Sequence, residues 1–376
     1  MNLKALLKSN KKLIFKFCLL IGCFLIMTLF IFNNESFYKR TIIKITDIST
    51  SNVGINTSPT GKTENTFTQN IKAKILNGKY KGHTVSFDNS YSESEITSAK
   101  YNKGDKLFAS IKKSNHKLTA TNISQKRDSF LFLLIGMVVL LLIFTSGRLG
   151  FLTLISVIIN ICSFIYCMNF ITEDSVNFPV WICEIILFTV VTLIMVSGFH
   201  LKTLGAIIST LASVLIIAVL YYVTIYANGD LPYDMQQYEV ASLPLKDIFF
   251  LSSLLGLLGA VMDNSITINT AVSEIVTTNP SVSYSKLVNS IYEIIYDVMG
   301  TMINVLFFAY LSSSLPIIIL KLSNGYNLIS VFTIDYIFDI VRFLIGSIGI
   351  VISLPISGII AVLLFKKVKK GFRKCE

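Results

Sequence analysis

The sequence predicts a polytopic α-helical membrane protein of about eight transmembrane helices, with a small β-rich extracytoplasmic domain between helices 1 and 2. Three observations carry that prediction. Hydrophobic residues make up 53% of the 376 and charged residues only 15%, far more apolar than a soluble domain. Eight stretches approach the ~20 apolar residues that a helix needs to cross the hydrocarbon core. One long polar segment, residues 33–128, alternates in side-chain character with period two.

The apolar stretches are Leu13–Phe32, Phe130–Thr145, Phe151–Phe170, Val180–Val196, Leu204–Ala227, Ile248 to about Ile268, Val298–Leu320 and Val341–Phe365. The first follows Lys4, Lys8, Lys11 and Lys12, as a signal-peptide n-region would, but its apolar run is long and no small-residue cleavage pattern follows. It reads as an uncleaved anchor. The domains expected are residues 1–32, the anchor; 33–128, the outer domain; 129–365, a seven-helix membrane domain; and 366–376, a basic tail. Basic residues at both ends of the chain place both termini in the cytoplasm by the positive-inside rule, and the membrane expected is the plasma membrane. Arg148 and Lys202 then fall inside, while Glu173, Asp174 and the Asp230–Glu239 loop fall outside.

Residues 33–128 hold sixteen Lys/Arg against eight Asp/Glu. Four segments alternate: 71–76, 83–87, 106–111 and 117–123, separated by Asn77-Gly78, Asp88-Asn89 and Lys103-Gly104-Asp105. Ser49 to Asn70, rich in Ser, Thr, Asn and Gly, reads as a mobile stretch. The basic surface suits an anionic envelope polymer or lipid head groups, or is simply solvated. Nucleic acid is not expected, because the domain faces outward and lacks an aromatic and basic stripe. His83 and His116 are isolated and no Cys/His spacing suits a metal, which leaves any metal open; no cofactor is expected.

The stretch Gly256 to Glu274 carries the chemistry. Ile248 to Met262 spans only roughly 23 Å at 1.5 Å per residue, short of the ~30 Å hydrocarbon core, so Asp263 lies in the membrane or at its inner edge. Intramembrane ionisable residues usually face a bundle interior or a water-filled cavity. Asp263, Thr267, Thr270 and Glu274 share one helix face, with Ile266, Ile268, Val272 and Ile275 on the other side. Asn279-Pro280 ends that helix, and a second, from near Ser283, carries Lys286, Asn289 or Ser290, Glu293, Asp297 and Asn304 along one face. The two stripes are expected to face each other, with Gly256, Gly259 and Gly300 allowing close helix approach and Pro316 kinking its span. An alternative is that Asp263 and Asp297 mark wet helix ends at the cytoplasmic interface. Glu184, near the outer end of its span, is expected to snorkel.

"GLLGAVMD" (256–263) followed by a Ser/Thr-rich helix, "YDVMGTMINVLFFAYLSSSLP" (296–316) and "GSIGIVISLPISGIIAVLLF" (346–365) resemble the YibE/YibF-like family of multi-spanning bacterial membrane proteins. "KAKILNGKYKGHTV" and "YNKGDKL" resemble the extracytoplasmic domain of the longer, YibE-like members. This sequence departs from the family at Ile295-Tyr296, where members tend to carry Gly-Arg, and at Asn264, which replaces a small apolar residue. The resemblance implies a permease-like protein of uncharacterised function and suits packing with a related YibF-like subunit or a homo-oligomer.

Three functions follow as expectations. In a secondary transporter or channel component, Asp263 and Asp297 bind a proton or cation while Thr267, Thr270 and Asn304 supply neutral oxygens, hard ligands of the kind such cations prefer. In a scaffold, the spans anchor a basic outer domain that binds a polymer or partner. An intramembrane aspartyl protease needs a close carboxylate pair, but Met262 stands where a Gly-Asp motif would place glycine. Sequence motifs for hydrolysis or ATP binding are missing.

Overall fold

A computed structural model describes residues 11–57, 61, 63–95, 98–114, 117–171, 175–228 and 244–372. The expectations for the N-terminal lysines at 4 and 8, His116, Glu173, Asp174, the 230–239 loop and the last residues of the tail lie outside them. The chain divides into two compact units, residues 1–147 and 148–376.

In the first unit, helix α1 (Lys11–Phe32) leads through a 3-10 turn (Glu35–Phe37) into five strands: β1 (Thr41–Thr57), β2 (Thr63–Ile75), β3 (Thr84–Ser92), β4 (Lys106–Ser114) and β5 (Lys117–Gln125). They close into a barrel of order β1-β2-β3-β5-β4, antiparallel except where β3 meets β5. This is the order of an OB-type Greek-key barrel. Alternation on β2 and β3 turns Ile71, Ala73, Ile75, Val85 and Phe87 inward, where they meet Ile43, Ile45 and Leu107. Each fully buried aliphatic side chain of this kind contributes about 1.5–3 kcal/mol. Helix α2 (Asp128–Ser146) returns against α1, with Phe24 stacked on Phe132, and a side chain at Gly136 would overlap Phe24.

Four strands match the alternating segments. Strand β1 hides from a period-two reading because Ile42 and Ile43 are both fully buried and the ladder slips between Ile45/Asp47 and Asn52/Gly54. The Ser49–Asn70 stretch, expected to be mobile, is in its described part a hairpin arm: Ser49 pairs Asn70 and Thr57 pairs Thr63. Backbone pairing needs no apolar side chains, so composition concealed it. Gly78 and Gly104 take φ of +81° and +99°, the left-handed region that turns require.

The second unit holds α3 (Arg148–Cys167), α4 (Phe178–Ser197), α5 (Leu201–Asn228), α6 (Leu245–Thr278), α7 (Tyr284–Ser323) and α8 (Ile337–Phe372), the last preceded by a π-helical turn (Val331–Asp335). Among the described residues, seven helices, α2 to α8, are long and apolar enough to cross a membrane; α1 has 22 residues. The core lies among α5, α6 and α8, through Val214 and Ile217, Leu254, Leu257 and Val261, and Ile350 and Leu354.

Helix α6 stops at Thr278, one residue before Asn279-Pro280, and the Ser283 hydroxyl caps α7 by accepting from the Lys286 N–H at 3.4 Å. Residues 263–278 and 284–300 are thus continuations of two long helices. At 34 and 40 residues, α6 and α7 run roughly 51 and 60 Å, well beyond the hydrocarbon thickness. The proline break separates two helices instead of interrupting one at mid-span, and α7 stays helical through Pro316.

Candidate functional site

Where α5, α6 and α8 meet, the second unit buries amides and hydroxyls in place of hydrocarbon. Ser209, Thr210 and Ser213 of α5, Asn264, Ser265 and Asn269 of α6, and Ser353 and Ser357 of α8 are all fully buried. Asn264 Nδ2 donates to Ser353 Oγ at 3.3 Å, the Ser265 and Ser357 hydroxyls meet at 3.1 Å, and Asn269 Nδ2 donates to Ser209 Oγ at 3.3 Å and to the Ser265 carbonyl at 2.8 Å. Ser209 and Ser213 donate back to carbonyls four residues earlier, a satisfaction open to hydroxyls within a helix. Small residues admit the cluster. A side chain at Gly205 would collide with the Asn269 amide oxygen, and a Cβ at Gly349 would lie 2.9 Å from Ile217.

The cluster carries no formal charge. It does carry surplus acceptors: Asn264 Oδ1 and Asn269 Oδ1 are buried without a hydrogen-bond partner. Each such group costs about 1–3 kcal/mol, and buried orphans are uncommon enough to point to a function. Each of the two amide oxygens, with a serine hydroxyl beside its own amide nitrogen, can accept one further hydrogen bond.

The stripe read from the sequence lies elsewhere. At 100° per residue, Asp263, Thr267, Thr270 and Glu274 centre about 160° from the buried arc of α6. Asp263 and Glu274 are exposed and the two threonines half-buried; on α7, Glu293, Asp297 and Asn304 are exposed. The contact between the helices is apolar, Ile268, Val272 and Val276 against Leu287 and Ile291, so the two stripes do not face each other. Apolar burial set the rotation of both helices. Among the described residues Asp263 and Asp297 make no hydrogen bond or ion pair, with each other or with anything else. Of the small residues, Gly256 sits against Tyr310, where a Cβ would be 2.6 Å from the hydroxyl; Gly259 and Gly300 face open space and Pro316 is exposed.

Two polar sites escaped the sequence reading. Arg342 of α8 donates to Asp339 at 3.0 Å and to Ser252 of α6 at 3.2 Å, and stacks 4.7 Å from the Phe249 ring centroid; Ser314 of α7 bonds Asp339. Its sequence signal is an arginine at the start of an apolar span, three residues after an aspartate. Glu184 was expected to snorkel but is only 2% exposed. It sits on the face of α4 turned toward α3, where Ser163 donates to Oε2 at 2.6 Å and Cys167 at 3.2 Å.

A β-barrel domain, a run of membrane-length helices and a polar cluster sealed among three of them define a polytopic membrane protein. The family profile described as YibE/F-like protein matches residues 134–367, and that of the YibE/F family N-terminal domain matches residues 36–126. The chain belongs to the YibE/F-like family. No curated protein and no solved structure matches it.

Proposed function

We propose that this chain is a permease-like transport protein whose polar solute is held by the amide and hydroxyl cluster among α5, α6 and α8. The observation that supports it is the pair of buried, unpartnered amide oxygens at Asn264 and Asn269. Polar groups at membrane depth are expected where they line a solute path. In this reading α1 is an eighth span, both termini are cytoplasmic, the barrel is outside, and the membrane is the plasma membrane. The stripe of Asp263, Thr267, Thr270 and Glu274, with Glu293, Asp297 and Asn304, then forms a cation-attracting surface closed by a second copy or a related subunit, since carboxylates do not face lipid without cost.

The test is thiol accessibility at Ser209→Cys and Ser353→Cys in a chain lacking its six native cysteines, using membrane-impermeant reagents from each side. Reaction of both from water is the expected outcome. If neither reacts from either side, the cluster is dry packing.

A scaffold reading has one observation in its favour. Lys44 and Lys74 stand directly opposite each other on β1 and β2, both exposed and, among the described residues, neither in an ion pair. Like charges so placed repel, and an anionic polymer along this face would relieve that.

A further inference from the structure

Helices α7 and α8 leave an apolar groove between them that the transport reading does not use. Tyr284, Val288 and Ile295 form one wall and Pro355, Ile359 and Val362 the other, around a space of about 230 Å³. The helices touch beneath it at Gly358, where a Cβ would lie 3.0 Å from the Ile291 side chain. The rims are open: Tyr292 and Ile359 are exposed. Along α7 the groove runs from Tyr284 to Ile295, about 17 Å at the helical rise, close to one leaflet of a hydrocarbon core roughly 30 Å thick.

One end of this groove is basic. Ile291 meets Gly358 and Leu306 meets Gly346, so the two helices run antiparallel and the first turn of α7 lies level with the residues that follow Val362 on α8. Pro355, Ile359, Val362, Lys366 and Lys369 succeed one another at spacings of four, three, four and three, so the helical register of α8 carries the groove face directly into lysines. From Lys366 onward the chain has six Lys/Arg and one Glu. The carboxylates of α7 lie elsewhere: at 100° per residue, Glu293 and Asp297 are about 160° from the centre of the groove face, and neither lines it.

We propose that this groove binds one anionic phospholipid of the surrounding membrane, its acyl chain lying between α7 and α8 and its phosphate at Lys366 and Lys369. The chain of a lipid is apolar and one leaflet long, as the groove is, and a basic cluster at the end of a membrane helix attracts anionic head groups. A second copy packed on this face about a twofold axis would instead bring its own Lys366 and Lys369 to the same end, like charge against like. The groove is on the opposite side of α7 from the acidic stripe, stands apart from the α5–α6–α8 cluster and does not depend on transport.

The test is thermal unfolding of the purified full chain in detergent, titrated with phosphatidylglycerol or with phosphatidylcholine of the same acyl chains. A ligand that binds only the folded state raises Tm by mass action and saturates. Half-saturation with phosphatidylglycerol is expected at a concentration roughly tenfold below that for phosphatidylcholine, a difference of about 1.4 kcal/mol of binding. The double variant Lys366→Gln with Lys369→Gln should abolish that preference, and Ile359→Trp, which fills the groove from its exposed rim, should weaken both lipids. Should Ile359→Trp fail to fold, Val288→Trp fills it from the α7 side. An equal response to the two lipids, a preference that survives the lysine variant, or binding that the groove variants leave unchanged overturns the proposal. An equal rise with glycerol phosphate overturns it by making the lysines a site for free anions. Dimerisation in detergent that the groove variants abolish does so too, by assigning the face to a second copy.

Discussion

Asn77 does for the start of the barrel what no backbone group there does for itself. Its Oδ1 accepts from the Ile42 N–H at 2.6 Å, and its Nδ2 lies 2.7, 3.0 and 3.1 Å from the carbonyls of Glu35, Tyr38 and Arg40. An asparagine before a glycine reads as a turn residue, and Gly78 is indeed in a turn, but the buried side chain ties the segment after α1 to β1. Each buried group left unpaired costs about 1–3 kcal/mol. Asn77→Ala should therefore destabilise this corner by about 2–4 kcal/mol, read as at least tenfold faster hydrogen exchange at the Ile42 amide. Beside it, Lys106 donates to the last α1 carbonyl, Phe32, at 2.6 Å and pairs with Glu35, while Lys126 donates to Asp128 at 2.9 Å. Cations at a helix C-terminus are favourable. Partial burial by itself raises the Glu35 carboxyl, but the hydrogen bond from Lys106, a backbone N–H and the Lys106 and Lys126 charges outweigh it and hold it below its ordinary value. A carboxyl depressed on folding stabilises fully above its unfolded value, and that contribution is lost as pH falls through the lower folded value. Stability of the wild-type chain should fall in that acidic window, and Glu35→Gln should flatten the fall; thermal unfolding against pH checks it.

Among elements, helix rotation decides what a polar residue means. Asp263 and Asn264 are neighbours in sequence, yet one is exposed and the other fully buried. Periodicity locates the apolar and polar arcs of α6 but not which arc α5 and α8 cover. Strand β1 was hidden by its two bulges, and Glu184 by lying near a span end, where snorkelling is the usual expectation. The close approach of α5 and α6 at Gly205 gives an element-scale prediction. Alanine there is a better helix former by about 1 kcal/mol, but its methyl would overlap the buried Asn269 amide, an overpacking worth about 1–3 kcal/mol. Gly205→Ala should therefore lower the Tm of the detergent-purified protein despite the gain in propensity.

For the whole molecule, the sequence by itself determined the class and layout: membrane-length helices, one β-rich domain after the first apolar stretch, and the YibE/F-like family. Those features are local or additive, because twenty apolar residues are long enough to span wherever they pack and alternation marks a half-buried strand without its partners. The helix stop at Asn279-Pro280 was legible for the same reason, since proline acts on its own backbone. Tertiary structure alone decided the closed strand order, the turning of the α6 and α7 carboxylates away from the α5–α6–α8 core, and the burial of Glu184 against α3. Each depends on which faces meet across long sequence separations, and apolar contact area set those faces while the few polar residues took the positions left to them.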